Sequence, residues 1–238
     1  MGKKILLDAG HYTNYNQSNV YKNYYEGNAM WILQGFLKKE LEAYGFTVGV
    51  TRTSRDKDLA VTARGQMAKG YDLFVSLHSN ACDTESVDRV VIIKGYDQPD
   101  TLSAKLGQEL TKVIGVKQAY QIMVRKNDAG KDYYGVLRGA DSVGVKDRIL
   151  IEHGFHTNTA TAKWLCSEAN LKKIAQAEAK VIADYYGYKK TTTTATSTTK
   201  KTYYRVICGS YTERANAEAM QNKLKKAGFD SFLEAVSK

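Results

Sequence analysis

Two of the chain's four histidines stand where a metal ion could bind. His11 follows the apolar segment 5–10, and His78 follows the apolar segment 73–77. If both segments are strands of a parallel sheet, the two histidines lie at the same edge and point into one crevice. Zinc in proteins binds imidazole nitrogen and carboxylate oxygen, and a catalytic zinc site keeps one position for water. One further carboxylate would therefore complete a catalytic zinc site.

Glu26 is the best candidate for that carboxylate. It stands directly before the predicted helix 27–44, and apolar residues three, four, seven and eleven positions later place it on the stripe that faces the core. A carboxylate on a buried stripe is unfavourable unless another group compensates its charge. The alternative is an exposed glutamate that stabilises the positive end of the helix dipole. The buried position favours a metal ligand.

Glu152 is a second carboxylate in an apolar setting. It closes the predicted strand 148–151, where burial of a charge is again costly without a purpose. Hydrolysis at zinc supplies such a purpose, because a base must take a proton from water and return it to the leaving amine. The alternative is a salt bridge at the end of the strand. We predict that Glu152 is the catalytic acid and base.

The segments that must position these residues alternate between strand and helix patterns. The predicted strands cover 4–7, 46–50, 71–77, 89–93 and 148–151, and the predicted helices cover 27–44, 59–69, 101–114 and 159–186. Such alternation is typical of an α/β domain with a mostly parallel central sheet. In such sheets, reactive residues collect just beyond the C-terminal ends of the strands.

Composition indicates a globular protein with one ordinary domain and a small appendage, because 43% of the 238 residues are hydrophobic and 25% are charged. The net charge of +10 favours a polyanionic partner, which could be nucleic acid, an anionic membrane surface or a wall polymer. Three scattered cysteines argue against a disulfide framework and against a four-thiolate zinc site. The N-terminal apolar run is too short for a signal peptide, and no segment of about 18 apolar residues predicts a membrane span.

A change in composition divides the chain. Residues 189–202 read KKTTTTATSTTKKT and are predicted to be a linker between a domain at 1–188 and a tail at 203–238. From residue 189 onward there are ten Lys and Arg against four Asp and Glu, so +6 of the net charge belongs to this end. The tail reads as strand 203–208, helix 212–226 and strand 231–235, a small βαβ unit. Such a basic appendage favours targeting over catalysis.

The large domain resembles the zinc-dependent N-acetylmuramoyl-L-alanine amidases of the amidase-3 family. The motifs that carry the resemblance are LLDAGH at 6–11, Glu26 before an amphipathic helix, TR…R…YDLFVSLHSNA at 51–81 and ILIEHGFHTN at 149–158. The resemblance implies a six-stranded sheet flanked by helices and one zinc ion held by His11, Glu26 and His78. It implies Glu152 as the catalytic acid and base. The implied reaction hydrolyses the amide between the lactyl group of N-acetylmuramic acid and L-alanine of the stem peptide.

Some positions depart from the family pattern. Tyr12 stands where glycine is common, the next dozen residues are rich in tyrosine and asparagine, and His153 stands where an apolar residue is usual. None of these departures removes a ligand, so they bear on substrate preference. Because the implied ligand set is already full, His153 and His156 are expected at the pocket rim or on the surface. Asn80 and Asn158 are expected to hold turns near the site.

The tail resembles half of a SPOR-type domain, a peptidoglycan-binding module. The matching positions are Tyr203, Arg205, Gly209, Ser210, Tyr211, Ala215, Ala219, Leu224, Gly228 and Phe229. A complete module has two such repeats, whereas the tail has one. The unit therefore pairs with the same unit of another chain to form a dimer, or its second copy has been lost. The partners implied are peptidoglycan and the anionic polymers of a Gram-positive wall.

Two other functions remain open from sequence. A zinc peptidase that cuts within the stem peptide would use the same metal chemistry and would differ in its products. A non-catalytic binder of wall or nucleic acid would use the basic tail, although the large domain has no nucleic-acid-binding motif. Without an export signal, the protein is expected to be made in the cytoplasm. It would then act on the wall after release, through a holin or by cell lysis, as either an endolysin or an autolysin.

Overall fold

The computed structural model describes residues 2–190, 208–229 and 231–233. The chain divides into two compact units, Met1–Thr192 and Thr193–Lys238. The boundary falls within the predicted linker, whose residues 191–202 lie outside the described part.

The first unit is built around one sheet. Its described strands are β1 (Lys4–Ala9), β2 (Thr47–Val50), β3 (Leu73–Asn80), β4 (Val90–Lys94), β5 (Gln121–Met123) and β6 (Asp147–Phe155). They lie in the order β2-β1-β3-β6-β4-β5, and every neighbouring pair is parallel except β4 and β6. The prediction of an α/β domain with a mostly parallel six-stranded sheet is confirmed.

Helices cover both faces of this sheet. They are α1 (Glu26–Ala43), α2 (Val61–Gln66), α3 (Thr101–Ile114), α4 (Gly135–Ser142), α5 (Thr159–Leu165) and α6 (Glu168–Tyr186). Alternate strand residues point to opposite faces, so Ile5 and Leu7 join the larger core with α1, α3 and α6. Leu6 and Phe74 join the smaller core beside α4 on the other face. By the same alternation, His78 and Glu152 lie on the face of the smaller core.

Several boundaries differ from the sequence prediction. β3 and β6 continue through Asn80 and Phe155, so His78 and Glu152 lie within strands and not after them. β5 and α4 were not predicted, because they have only 3 and 8 residues. The predicted helix 159–186 is two helices, since Ser167 has extended backbone and serves as the N-cap of α6.

The second unit contains a helix, α7 (Arg214–Lys226), as the sequence predicts. None of its residues is fully buried, and Ala215 and Ala219, two of the positions that match the SPOR pattern, are exposed. The predicted strand 203–208 lies outside the described residues apart from Cys208. Of the predicted strand 231–235, residues 231–233 are described and are not a strand, and the rest lie outside the described part.

No helix in the described residues is both long enough and apolar enough to cross a membrane. The cysteines Cys82, Cys166 and Cys208 are free thiols, as expected from their scattered positions.

Candidate metal and catalytic site

The structure brings His11, Glu26 and His78 together at one edge of the sheet. One possible ligand atom from each lies within 4.8 Å of those of the other two. Glu26 opens α1, and its side chain is 1% exposed between the two imidazoles. Its carboxylate oxygens lie 2.8 Å from Nδ1 of His78 and 3.2 Å from Nε2 of His11. The three ligands predicted from sequence therefore form one cluster.

Glu26 is held in its ionised form. Its carboxylate accepts hydrogen bonds from the backbone amide of Ser79, at 3.0 Å, and from the side-chain amide of Asn16. Burial alone would raise its pKa, but hydrogen bonds and charge from His11 and His78 outweigh burial and hold the pKa far below the ordinary range. A carboxylate in this state is ready to bind a cation.

A buried arginine fixes the loop that carries His11. The backbone of His11 has φ of +59°, an uncommon conformation for a non-glycine residue. The guanidinium of Arg52, 1% exposed, donates hydrogen bonds to the carbonyl oxygens of Gly10 and Gly27 at 3.1 and 3.4 Å and to that of His11. One arginine thus ties the end of β1 to the first turn of α1.

His78 and Glu152 are neighbours across two strands. They are register partners on β3 and β6, so their side chains stand side by side on the same face. On the other side of β3, Gly10 leaves room for the imidazole, because a Cβ at that position would lie 2.4 Å from Cε1 of His78. The sheet register therefore sets the distance between the metal cluster and Glu152.

Glu152 differs from Glu26 because no hydrogen bond within the described part of the chain compensates the burial of its Oε2 atom. Its Oε2 atom is buried and has no hydrogen-bond partner among the described residues. Burial, and to a lesser extent the negative charge of Glu26, raises the pKa of Glu152 well above the ordinary range. A carboxyl group with a raised pKa binds a proton more strongly than an ordinary glutamate does, which suits a general acid and base.

The cluster fits a zinc ion by its donor set. Two imidazole nitrogens and one carboxylate oxygen match the ligands of catalytic zinc sites, which leave a further position to water or substrate. Bonds of about 2.0–2.2 Å to one ion require ligand atoms roughly 3–4 Å apart, close to the separations of 2.8 and 3.2 Å around Glu26. The side chain of His11 is 28% exposed, so the cluster is open to solvent.

The expectation for His153 was wrong. This residue is fully buried and lies on the opposite face of β6 from Glu152. Its Nδ1 donates to the carbonyl oxygen of His78 at 2.8 Å, and its Nε2 lies 2.8 Å from the buried carboxylate of Glu178 on α6. The buried pair of His153 and Glu178 supports the backbone of His78, one of the predicted metal ligands. This contact explains why a histidine stands where the family usually has an apolar residue.

His156 was also expected at the rim or surface, and it is 2% exposed. Its Nδ1 contacts the hydroxyl of Ser79 at 2.9 Å, and its ring stacks on Tyr24 at 5.7 Å between centroids. It lies outside the metal cluster. Asn158 caps α5 through Thr161, and Asn80 accepts a hydrogen bond from the amide of Ala81, so both hold local backbone.

Sequence reasoning gave no role to a charged network beneath the site. Asp8 on β1 is fully buried and accepts hydrogen bonds from Arg64 at 2.6 and 2.8 Å and from the hydroxyls of Thr51 and Ser76. Burial opposes ionisation, but Arg64 and the two hydroxyls lower the pKa of Asp8 below the ordinary range. Two features of the sequence could have indicated this network: a carboxylate inside an apolar strand, and the two arginines of the TR…R motif.

Two family models match the chain. One, described as N-acetylmuramoyl-L-alanine amidase, matches residues 5–184. The other, described as SPOR domain, matches residues 168–233. The two matches overlap in α6, so the SPOR match begins before the tail at 203–238 that resembles this module in sequence.

Known relatives agree with these matches. The chain is 25% identical to the N-acetylmuramoyl-L-alanine amidase CwlM of Bacillus licheniformis, over 97% of this chain and 84% of CwlM. It is 26% identical to the probable cell wall amidase LytH of Staphylococcus epidermidis, over 78% of this chain and 59% of LytH, so it spans little more than half of that protein.

The fold has solved counterparts. The catalytic domain of CwlV, an N-acetylmuramoyl-L-alanine amidase from Bacillus (Paenibacillus) polymyxa var. colistinus, aligns with a TM-score of 0.65 at 18% identity. The alignment covers 79% of this chain and 99% of that domain. From its sequence match over most of its length, the chain belongs to the N-acetylmuramoyl-L-alanine amidase family and is a peptidoglycan hydrolase with a SPOR domain.

Proposed function

We propose that the chain cleaves the bond between N-acetylmuramic acid and L-alanine with one zinc ion held by His11, Glu26 and His78, and with Glu152 as acid and base. One observation carries this proposal. Three zinc-type ligand atoms lie within 4.8 Å of one another, beside a carboxyl group that has an unpartnered buried oxygen. When bound, zinc supplies Lewis-acid chemistry and makes water more acidic.

Glu152 would act twice in the reaction. As a carboxylate it accepts a proton from the water that attacks the lactyl carbonyl carbon. As a carboxylic acid it donates that proton to the alanine nitrogen while the carbon–nitrogen bond breaks. Its raised pKa supports the first step, because the carboxylate binds a proton more strongly than an ordinary glutamate does, and the proton is then available for the second step. The register between His78 and Glu152 keeps the proton acceptor next to the ligand cluster.

The remaining residues position this machinery. Arg52 holds the backbone of His11 through the carbonyl oxygens of Gly10 and Gly27. His153 holds the carbonyl of His78 from the opposite face of the sheet. Rigid ligands lower the cost of ordering the site when it binds its ion and substrate.

Product analysis of digested walls tests the proposal. Purified protein is incubated with Gram-positive peptidoglycan after treatment with a chelator, with and without added zinc. We expect activity only with zinc, together with new N-terminal alanine and no new reducing sugar. Undiminished digestion by the metal-free protein would refute the zinc proposal, and cuts within the stem peptide would indicate a peptidase.

We further propose that the SPOR unit holds the enzyme on its substrate. The SPOR match and the excess of six positive charges from residue 189 onward support binding to peptidoglycan and to anionic wall polymers. Exposed aromatic residues, Tyr211 at 43% and Phe229 at 64%, are available for contact.

In the full-length chain, Tyr211→Ser with Phe229→Ser should reduce co-sedimentation with walls while hydrolysis of soluble fragments continues. Binding to walls stripped of anionic polymers distinguishes binding to peptidoglycan from binding to those polymers. Sedimentation velocity of the full-length chain tests for a dimer.

A further inference from the structure

An aromatic column stands beside the metal cluster. The ring of Tyr15 stacks on the ring of His11, with centroids 5.0 Å apart and planes at 23°. Tyr12 lies against Tyr15 at 4.8 Å. Tyr15 is nevertheless 45% exposed, which is unusual for a large aromatic side chain with two ring neighbours. The exposed part of the Tyr15 side chain therefore lies next to a metal-ligand candidate.

The loop holds Tyr15 in one place. Asn14 and Asn16, on either side, both have φ of +56°. The backbone amide of Asn14 donates to Oδ1 of Asn28, and Nδ2 of Asn28 donates to Oδ1 of Asn14. Both hydrogen bonds are 2.9 Å long and join the loop to α1. The carbonyl oxygen of Tyr15 accepts a hydrogen bond from the backbone amide of Gly27 at 3.3 Å. These contacts fix the backbone around Tyr15, and packing against His11 and Tyr12 fixes the direction of its ring.

Strand order decides which part of the substrate meets this surface; this step rests on the proposed function. β1 and β6 lie on opposite sides of β3, so Glu152 is two strands away from β1, a spacing of about 10 Å. Glu152 must reach the alanine nitrogen, so the peptide leaves on the β6 side. The acyl group, which carries the sugar, then lies on the β1 side, where the loop with Tyr15 follows.

Chemistry places a sugar ring close to the metal on that side. The lactyl group is an ether on carbon 3 of N-acetylmuramic acid, so few bonds separate the pyranose ring from the carbonyl carbon under attack. A pyranose presents an apolar face of C–H groups that can cover an aromatic ring. We propose that Tyr15, supported by Tyr12, is the binding platform for the N-acetylmuramic acid ring next to the scissile amide.

A second exposed tyrosine provides a matched control. Tyr133 is 44% exposed, almost the same as Tyr15, but its ring is covered by the guanidinium of Arg125 at 3.5 Å. None of the cation–ring contacts found among the described residues involves Tyr15. A general effect of removing an exposed tyrosine would thus weaken sugar binding in variants of both Tyr15 and Tyr133. Loss of a sugar-binding platform would weaken it only in the Tyr15 variant.

The test is sugar binding by the full-length, metal-free protein. The N-acetylglucosamine–N-acetylmuramic acid disaccharide, without a stem peptide, is titrated and followed by NMR. We expect Tyr15→Ala to weaken binding by about tenfold, and Tyr15→Phe and Tyr133→Ala to change it by less than about twofold. Equal binding by Tyr15→Ala and the unaltered protein would overturn the proposal, as would equal weakening by Tyr133→Ala. Because no metal or turnover is involved, this outcome is independent of the zinc mechanism.

A second measurement separates sugar binding from support of His11. In zinc-loaded protein, Tyr15→Ala should keep its zinc and raise KM for glycan-linked substrate about tenfold, with kcat nearly unchanged. If Tyr15→Ala instead loses zinc while Tyr15→Phe keeps it, the ring serves to position a ligand, and the platform proposal is wrong.

Discussion

The two carboxyl groups of the site, Glu26 and Glu152, show how the partners of a carboxyl group decide its chemistry. Glu26 has four polar neighbours around its carboxylate: His11, His78, the amide of Ser79 and Asn16. Glu152 has a buried oxygen without a partner among the described residues. Accordingly, the pKa of Glu26 is lowered and that of Glu152 is raised. Burial raises both pKa values, and the partners alone decide the net direction.

This contrast explains the division of roles. A carboxylate that stays ionised is suited to a cation, whereas one that exchanges its proton is suited to acid–base catalysis. Removing Glu26 should therefore abolish metal binding, and removing Glu152 should abolish proton transfer without loss of metal. Variants at the two positions should fail in different ways.

The largest effect is expected from Glu26→Ala. Without the buried charge, His11 and His78 remain as two neutral ligands, so bound zinc should fall from one per chain to near zero and wall digestion to background. Elemental analysis measures the metal. Glu42→Ala, an exposed glutamate on the same helix, is the control and should keep both. A Glu26→Ala protein with stoichiometric zinc would remove this residue from the ligand set.

Glu152→Gln should keep one zinc per chain and an unchanged fold. Because glutamine cannot exchange a proton, kcat should fall by about 10²- to 10⁴-fold, with a much smaller change in KM. Steady-state kinetics on a soluble muramoyl-peptide, together with elemental analysis, measures both quantities. Normal turnover in this variant would exclude Glu152 as the acid and base.

Gly10→Ala tests the packing between the two halves of the site. The new Cβ would lie 2.4 Å from the His78 ring, which must move away. Since a displaced ligand weakens metal binding, zinc affinity should fall by about tenfold or more, as measured by chelator competition. Gly35→Ala in α1, where a Cβ meets nothing within 4 Å, should leave zinc affinity unchanged. Unaltered affinity in Gly10→Ala would show that the His78 ring is not confined.

The smallest effect concerns pH and the metal-free protein. The folded-state pKa of Glu152 is raised, so its contribution to stability is complete below the unfolded pKa of about 4.3. That contribution is lost as the pH rises from this value through the folded pKa. Chemical denaturation from pH 4 to 8 should therefore show a fall in stability for the unaltered protein relative to Glu152→Gln. Parallel curves for the two proteins would contradict the raised pKa.

The ligands and the acid–base residue could be predicted because each is a polar residue at the start of a helix, within an apolar strand or just after one. Such positions are costly unless they have a function. The amidase resemblance then supplied their grouping. His153 could not be placed from sequence, because its partner Glu178 is 25 residues away on α6 and becomes visible only in the folded core. The roles of Arg52 and Arg64 also depend on contacts between distant segments.

The most direct test is a crystal structure of the zinc-loaded, full-length protein with anomalous diffraction at the zinc edge. We expect one strong peak bonded to a nitrogen of His11, a nitrogen of His78 and an oxygen of Glu26. The carboxyl group of Glu152 should face the open side of the ion without bonding to it. A peak elsewhere, or one in which Glu152 replaces Glu26 as the ligand, would contradict the assignment of the two carboxyl groups.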